Sequence, residues 1–144
     1  MLNLAKACVI TDAALAEGRR LTLAPLVAAV LDAGGNLVAF KREDGAGIAR
    51  FDIAFAKAWG SLGMGFGSRE LTERATKTPT FIAALTSLTG GRMAPSPGGV
   101  LVLDEGRRII GAVGVSGDIG DKDELCAIAG VRAAGYGAAP GNVT

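Results

Sequence analysis

Apolar residues recur at helical spacing near the start of the chain. Leu4, Cys8 and Leu15 fall on one face of such a helix. Asn3 can cap the start of this helix, and Gly18 is placed to end it. The pattern therefore predicts that the first element of the structure is a helix.

Two short apolar runs that follow predict a β-hairpin. LVAAVL begins after Pro25, LVAFKR comes next, and residues 32–36 between them contain two glycines. A glycine-containing segment of this length is a common hairpin loop. A second pair of runs, VLVL and RIIGAVGVSG, surrounds residues 104–107 and predicts another hairpin.

The other periodic segments predict further helices. From Ile48 the apolar spacing takes a helical period, and this stripe is wide enough to lie against a sheet. Ser68 can cap a short turn that runs to about residue 75, and Thr78 followed by Pro79 predicts the start of another helix. A last helix is predicted from Asp121 to about residue 136, and the tail AAPGNVT is predicted to be loose.

The order of these elements indicates the fold class. Consecutive strands lie side by side in the two hairpins, and the helices are segregated from them. We expect an α+β fold in one domain over residues 1–144, with an antiparallel sheet of about four to five strands flanked by helices. The glycines of GMGFG and GAVGVSG are interpreted as close helix packing and a bulged strand end, since GMGFG follows a helix and not the strand of a dinucleotide site.

Composition narrows the class of protein. Hydrophobic residues make up 49% of the chain and charged residues 20%, which excludes a disordered protein, and no apolar run approaches the roughly 18 residues of a membrane-spanning helix. A net charge of +1, with one Trp and one Tyr, argues against nucleic acid as a partner. We expect a homo-oligomer, because a small domain of this apolar content cannot readily hide all its apolar surface in one core.

The chain contains no histidine. Its absence removes the Ser-His-Asp triad, the Cys-His pair and the most common ligand of transition metals and of haem iron. Cys8 and Cys126 lie far apart in apolar periodic stretches, so buried free thiols are expected rather than a disulfide or a metal site. The first residues, MLNLAKACVI, do not form a secretory signal, and a cytoplasmic location is expected.

Charged residues near the ends of predicted elements are candidates for ligand binding. Arg42 and Asp44 lie close together at the end of the second strand. Arg42 can bind a carboxylate while Asp44 orients it, or the two can form an exposed ion pair. Lys57 lies beside the apolar stripe of the central helix, where its amino group can reach water or can be partly desolvated and act as a base or an anion contact.

A carboxylate cluster follows the last predicted strand, which ends at Ser116 and Gly117. Asp121 and Glu124 have the three-residue spacing of a capping box, and acidic residues in a first helical turn complement the helix dipole. Asp123 is not needed for this cap and is therefore the acid that we assign to a site. Without histidine the carboxylates do not by themselves support a metal site, and none is predicted.

The candidate residues form one predicted ligand site. Its members are Arg42, Asp44, Lys57, Gly98, Gly99, Ser116, Gly117 and Asp123. Ser116 is interpreted as a hydroxyl donor, and the backbone at Gly98 and Gly99 allows a ligand to approach closely. The charged ends of Arg42, Lys57 and Asp123 are expected to converge on one cavity at the edge of the sheet.

Five separated segments resemble one family of bacterial proteins in their order and spacing. They are DAGGNLVAFKREDGA, AFAKAW, PSPGGV, IIGAVGVSG and DKDELCAIAG. On these segments the chain is similar to the GlcG/HbpS-like family, which is related to the C-terminal domain of PduO. The resemblance extends over nearly the whole chain.

The resemblance implies a profilin-like fold and assembly as a homo-oligomer. The family includes haem-binding and haem-degrading proteins, relatives of cobalamin adenosyltransferases and proteins encoded beside glycolate oxidation genes. Haem is therefore the cofactor that the resemblance implies. Haem-binding members are expected to use histidine, and its absence from this chain disfavours haem as the cofactor here.

Three functions are compatible with these patterns. The first is a small-molecule binding protein, whose ligand is a tetrapyrrole or a small hydroxy or keto acid. The second is an enzyme that acts on a small oxygenated metabolite, with Lys57 or Asp123 transferring a proton and Arg42 holding a carboxylate. The third is a structural or regulatory subunit that works through its oligomer surface.

Overall fold

The computed structural model describes residues 1–143, which form five helices and five strands. In chain order these are α1 (Leu4–Arg20), β1 (Val27–Asp32), β2 (Leu37–Arg42), α2 (Arg50–Met64), α3 (Ser68–Lys77), α4 (Pro79–Leu88), β3 (Gly99–Leu103), β4 (Ile109–Ser116), α5 (Gly120–Ala133) and β5 (Gly137–Ala139). Within the described residues, no helix has the length and apolar character needed to cross a membrane.

The five strands form one antiparallel sheet in the order β2-β1-β4-β3-β5. The expected α+β fold, with an antiparallel sheet flanked by helices, is therefore confirmed. At one end of the sheet, Val27 of β1 is opposite Arg42 of β2 and Ser116 of β4. Directly opposed residues of antiparallel strands point to the same face of the sheet, so these three side chains share a face.

Helices cover both faces of the sheet. Ala54 of α2 packs with Val27 and Ala29 of β1. The alternate residues of β1 point to the other face and join a cluster with residues of α1 and α5. β1 is thus buried on both sides, which explains why its sequence is continuously apolar rather than alternating.

Helix α2 lies unusually close to the strands beneath it. Gly99 of β3 and Gly114 of β4 are opposite one another in the sheet register. A Cβ atom at Gly114 would overlap the carbonyl of Ala54, and one at Gly99 would overlap the carbonyl of Lys57. Two glycines therefore allow the backbone of α2 to rest directly on the backbone of the sheet.

Two helix starts differ from the sequence-based expectation. Ile48 is 97% exposed and precedes α2, so it is not part of the apolar stripe. Ser68 does not cap a short turn: it is the first residue of a ten-residue helix, α3. The Ser68 hydroxyl instead donates to the Ser96 carbonyl at 2.6 Å and accepts from the Gly99 N–H at 2.7 Å. This side chain links α3 to the loop before β3.

Three further expectations require correction. The hydroxyl of Thr78 donates to the carbonyl of Arg74 in the preceding helix and does not cap α4. Gly18 lies inside α1, where a Cβ would collide with Leu26 of the next segment. The tail is not entirely loose, because Gly137–Ala139 forms β5 against β3.

We predict that Gly114→Ala destabilises the protein by at least about 1–3 kcal/mol, the usual cost of overpacking. The reason is that the new methyl group would overlap main-chain atoms of α2, which cannot move aside as a flexible side chain can. The free energy of unfolding in urea measures this effect. Gly141→Ala is the matched control, since no atom lies within 4 Å of the place that its Cβ would occupy. Equal stability of the two variants would contradict the close packing of α2.

Candidate functional site

Lys57 and Asp123 form an ion pair in the interior. Nζ of Lys57 lies 3.0 Å from Oδ2 of Asp123, and the two side chains are only 2% and 1% exposed. The same Nζ donates a hydrogen bond of 2.9 Å to the carbonyl of Val115. One amino group therefore connects α2, β4 and α5.

The second carboxylate oxygen of Asp123 is also occupied. Oδ1 accepts the N–H of Asp118 at 3.0 Å, just before α5 begins. Among the described residues, no buried side-chain nitrogen or oxygen lacks a hydrogen-bond partner. Each polar atom of the Lys57–Asp123 pair thus has a partner inside the protein, and at 2% and 1% exposure neither side chain is accessible to a ligand.

Burial is the largest influence on the charges of this pair. It lowers the pKa of Lys57 and raises the pKa of Asp123, because a charged group loses hydration in the interior. The attraction between the two groups acts in the opposite direction for each of them. Each residue therefore depends on the other to remain ionised.

Gly98 and Gly99, which were predicted to belong to the ligand site, lie against this pair. Gly98 has φ +125°, a conformation that favours glycine, and a Cβ there would lie 2.9 Å from Nζ of Lys57. Gly99 lies against the main chain of Lys57. The close approach that these glycines were expected to offer a ligand is made in this structure by α2.

Ser116 and Gly117 lie at the end of β4 beside the same pair. Ser116 is fully buried and its Oγ accepts from Nη1 of Arg50 at 3.2 Å. Gly117 has φ +150° and is pressed against the backbone of Pro25 and Leu26. Arg50, at the start of α2, was not identified from the sequence. Its position one turn before the apolar face of a helix carried no distinctive signal.

Arg42 and Asp44 lie elsewhere, in an open groove of about 590 Å³. The other residues that line this groove are Leu15, Arg19, Pro25, Lys41 and Glu43. Neither Lys57 nor Asp123 lines it. The predicted convergence of Arg42, Lys57 and Asp123 on one cavity is therefore wrong: Lys57 of α2 and Asp123 meet in the interior, while Arg42 of β2 lies in the groove.

Two charged groups of this groove are not held in ion pairs within the described part of the chain. Arg19 binds Glu43 at 2.9 Å, and Lys41 binds Asp12 of α1. Arg42 makes one hydrogen bond, of 3.3 Å, to the carbonyl of Ala46. Among residues 1–143, neither Arg42 nor Asp44 has an oppositely charged partner within ion-pair distance. The groove thus presents one guanidinium and one carboxylate to a ligand.

The acidic cluster at the start of α5 is held by an arginine. Arg69 of α3 binds Asp121 at 2.5 Å and Glu124 at 2.8 Å. The expected capping box is wrong, since α5 starts after Ile119 and has no side-chain cap. In the described part of the chain, no three His, Cys, Asp or Glu residues are grouped as a metal site requires. Arg69 was missed because its partners are more than fifty residues away in sequence.

Comparison with known proteins relates the chain to one family. The family described as "Haem degrading protein HbpS-like" matches residues 2–132. An uncharacterised 15.0 kDa protein of Citrobacter freundii, encoded in the dhaT-dhaS intergenic region, is 34% identical over 103 residues, which are 72% of this chain and 71% of that protein.

Solved structures share the fold. The crystal structure of a PduOC:haem complex has a TM-score of 0.82 and 25% identity, and the match covers 92% of this chain and 94% of that one. A double mutant of HbpS from Streptomyces reticuli has a TM-score of 0.79 and 30% identity, over 91% of this chain and 85% of its own. The similarity therefore extends over the sheet and the helices on both of its faces.

We predict that removing one member of the buried pair is more harmful than removing both. Lys57→Met should lower the free energy of unfolding by about 3–5 kcal/mol, because it leaves a buried carboxylate without a cation. The double variant Lys57→Met/Asp123→Leu should lose less than Lys57→Met alone. Urea denaturation at pH 7 measures each value. Arg108→Ala, which removes an exposed ion pair with Asp104, is the control and should change stability by less than about 1 kcal/mol.

The pH dependence of Lys57→Met provides a second measurement. Without its cation, Asp123 has a raised pKa in the folded state, so the folded protein binds a proton that the unfolded chain releases. The destabilisation should therefore be smallest near pH 4 and should increase as the pH rises towards 7. A loss that does not change with pH, or additive effects in the double variant, would contradict the ion pair.

Proposed function

We propose that this chain, which belongs to the HbpS-like haem-degrading family, is a small-molecule binding protein whose ligand carries a carboxylate. Members of the group include a PduO domain crystallised with haem. The observation that carries the proposal is the groove of about 590 Å³ at the β2 edge, where Arg42 and Asp44 have no ionic partner among the described residues. Arg42 would bind the carboxylate of the ligand, and Asp44 would accept a hydrogen bond from a hydroxyl group.

This pair of groups favours a hydroxy acid over a keto acid. A guanidinium presents parallel N–H donors that match a carboxylate. A carboxylate such as Asp44 only accepts hydrogen bonds, so it is matched by a hydroxyl donor and not by a carbonyl oxygen. Asp12 and Glu43 already neutralise the neighbouring cations, which leaves the charge of Arg42 available.

The residues that line the groove do not fit the ligation of haem iron. Besides the absent histidine, Cys126 lies in the core, and burial raises the pKa of its thiol to about 12, which keeps it protonated. Met93 is buried in a second apolar cluster. No Cys, Met or Tyr lines the groove. A tetrapyrrole bound there would be held by its carboxylates and its apolar body alone.

The proton-transfer and oligomer hypotheses have different support. Lys57 and Asp123 are 2% and 1% exposed, so proton exchange with a bound metabolite has no direct route from this pair. Homo-oligomer formation stays a prediction. Ile48 and Leu88, which are 97% and 73% exposed, are apolar side chains that an oligomer contact would cover. The cytoplasmic location likewise stays a prediction.

We predict that glycolate stabilises the protein more than glyoxylate does. A ligand at 100 times its dissociation constant stabilises by about 2.7 kcal/mol, which corresponds to a rise in melting temperature of about 5–10 °C for a chain of this size. Arg42→Gln should abolish the rise for both acids, while Asp44→Asn should remove only the preference for glycolate. Arg132→Gln, an exposed position on α5 outside the groove, is the control. If it lowered the thermal shift as much as Arg42→Gln does, the site would be wrong.

We predict that haem binding by this chain does not depend on iron. Haem and metal-free protoporphyrin IX should bind with dissociation constants within about threefold of one another, since no Cys, Met or Tyr lines the groove. Fluorescence quenching of Trp59 measures both titrations. A saturable Soret shift with haem, lost on replacement of Cys8, Cys126, Met64, Met93 or Tyr136, would show that the iron is ligated after all.

A further inference from the structure

We propose that a second cavity, between the end of α2 and helices α3 and α4, binds an amphipathic monoanion such as a medium-chain carboxylate. This α3–α4 cavity has a volume of about 440 Å³. Met64, Arg74, Lys77, Phe81 and Ile82 are the lining residues on which the proposal rests. They combine an apolar wall with a cationic rim.

The apolar wall continues a buried cluster to the surface. Ile82 is 4% exposed and packs with Phe66, Leu71 and Met93. Phe81, which precedes Ile82 in α4, also lines the cavity and is 57% exposed. An aromatic ring that is left half in solvent beside a cavity gains contacts when an apolar chain fills that cavity.

The rim of the cavity has an excess positive charge. Arg74 donates through Nε to Glu70 at 3.0 Å, and its guanidinium lies over the ring of Phe66 at 4.4 Å. Glu70 therefore offsets the charge of Arg74. Lys77 is exposed and has no carboxylate within ion-pair distance in residues 1–143. One uncompensated cation above an apolar wall suits one anionic head group with an apolar tail.

This cavity is separate from the groove at the β2 edge. Arg42 and Asp44 precede the start of α2, whereas Met64 is its last residue. A helix of fifteen residues spans about 22 Å. Because the two openings share no lining residue, ligands should bind to them independently.

Titration of decanoate, followed by the fluorescence of Trp59, tests the proposal. Trp59 is the only tryptophan of the chain and packs against the same buried cluster as Ile82. Decanoate should give a saturable change, and decanol, which has no charge, should bind more weakly. Lys77→Gln should weaken decanoate binding by about two- to fivefold at low salt, the effect of one exposed ion pair.

The variants have matched controls. Phe81→Ala should weaken decanoate and decanol alike, because it shortens the apolar wall, and it should leave the fold intact because this ring is 57% exposed. Lys122→Gln, an exposed lysine of α5 outside the cavity, should have no effect. Arg42→Gln removes the carboxylate contact of the groove, so in this background decanoate should still bind and should still lose affinity on Lys77→Gln, which separates failure of the groove from failure of the α3–α4 cavity.

Three results would overturn the proposal. The first is equal affinity for decanoate in the wild type, Lys77→Gln and Phe81→Ala. The second is loss of decanoate binding in Arg42→Gln, which would place the ligand in the groove. The third is no decanoate binding together with a lower mass of Phe81→Ala in light scattering, which would identify the exposed face of α4 as a contact between copies of the chain.

Discussion

The buried amino group of Lys57 is the constraint on which the arrangement of helices depends. Nζ has lost water and must find oxygen partners inside the protein, which it does at Val115 and Asp123. The Lys57 side chain can reach these partners because Gly99 allows the main chain of Lys57 to rest on the sheet. The helix approach and the ion pair therefore require each other: a larger residue at position 99 would lift α2 and draw the amino group away from its partners.

Because the Lys57–Asp123 pair is buried, the charged groups that a ligand can reach lie on the outside of the fold. The side chains of Lys57, Asp123 and Arg50 meet one another's neighbours at the strand ends near Ser116. Two openings, of about 590 and 440 Å³, lie instead at the β2 edge and beside α4. Both openings contain a cation without an ionic partner among the described residues, next to apolar side chains. If the proposed ligands bind there, they would be recognised by their charge and their apolar surface, and their affinity should fall as salt is added.

The sequence was sufficient for the order of the elements from α1 to α5, but not for β5 or for the site. Periodicity located α1 and both hairpins, because each combines an apolar pattern with a turn or cap signal, and it located α5 although the expected capping box is absent. It missed β5, since Gly137–Ala139 has no β-branched or aromatic residue and pairs only because β3 offers a free edge. Lys57 was found as a charge beside an apolar stripe, and Asp123 as the acid that the predicted helix cap did not need. That they bind each other, and that Arg42 lies apart, depends on contacts between residues distant in sequence, which no local pattern contains.

This chain belongs to a haem-degrading family but has no histidine, so the interactions that can hold a ligand are different from ligation of iron by an imidazole. A metal–ligand bond is directional and is insensitive to moderate salt, whereas a guanidinium–carboxylate contact at the surface is screened within about 10 Å at 0.1 M salt. The solved structures share the sheet and helices of this chain, and under the proposed function the groove would hold its ligand by charge and apolar contact rather than through a metal. Under the proposed function, selectivity would come from hydrogen bonding, and in the groove Asp44 would impose it by accepting from a hydroxyl and repelling a second carboxylate. The ligand proposed for this chain would therefore be distinguished by its carboxylate and hydroxyl groups and not by a metal.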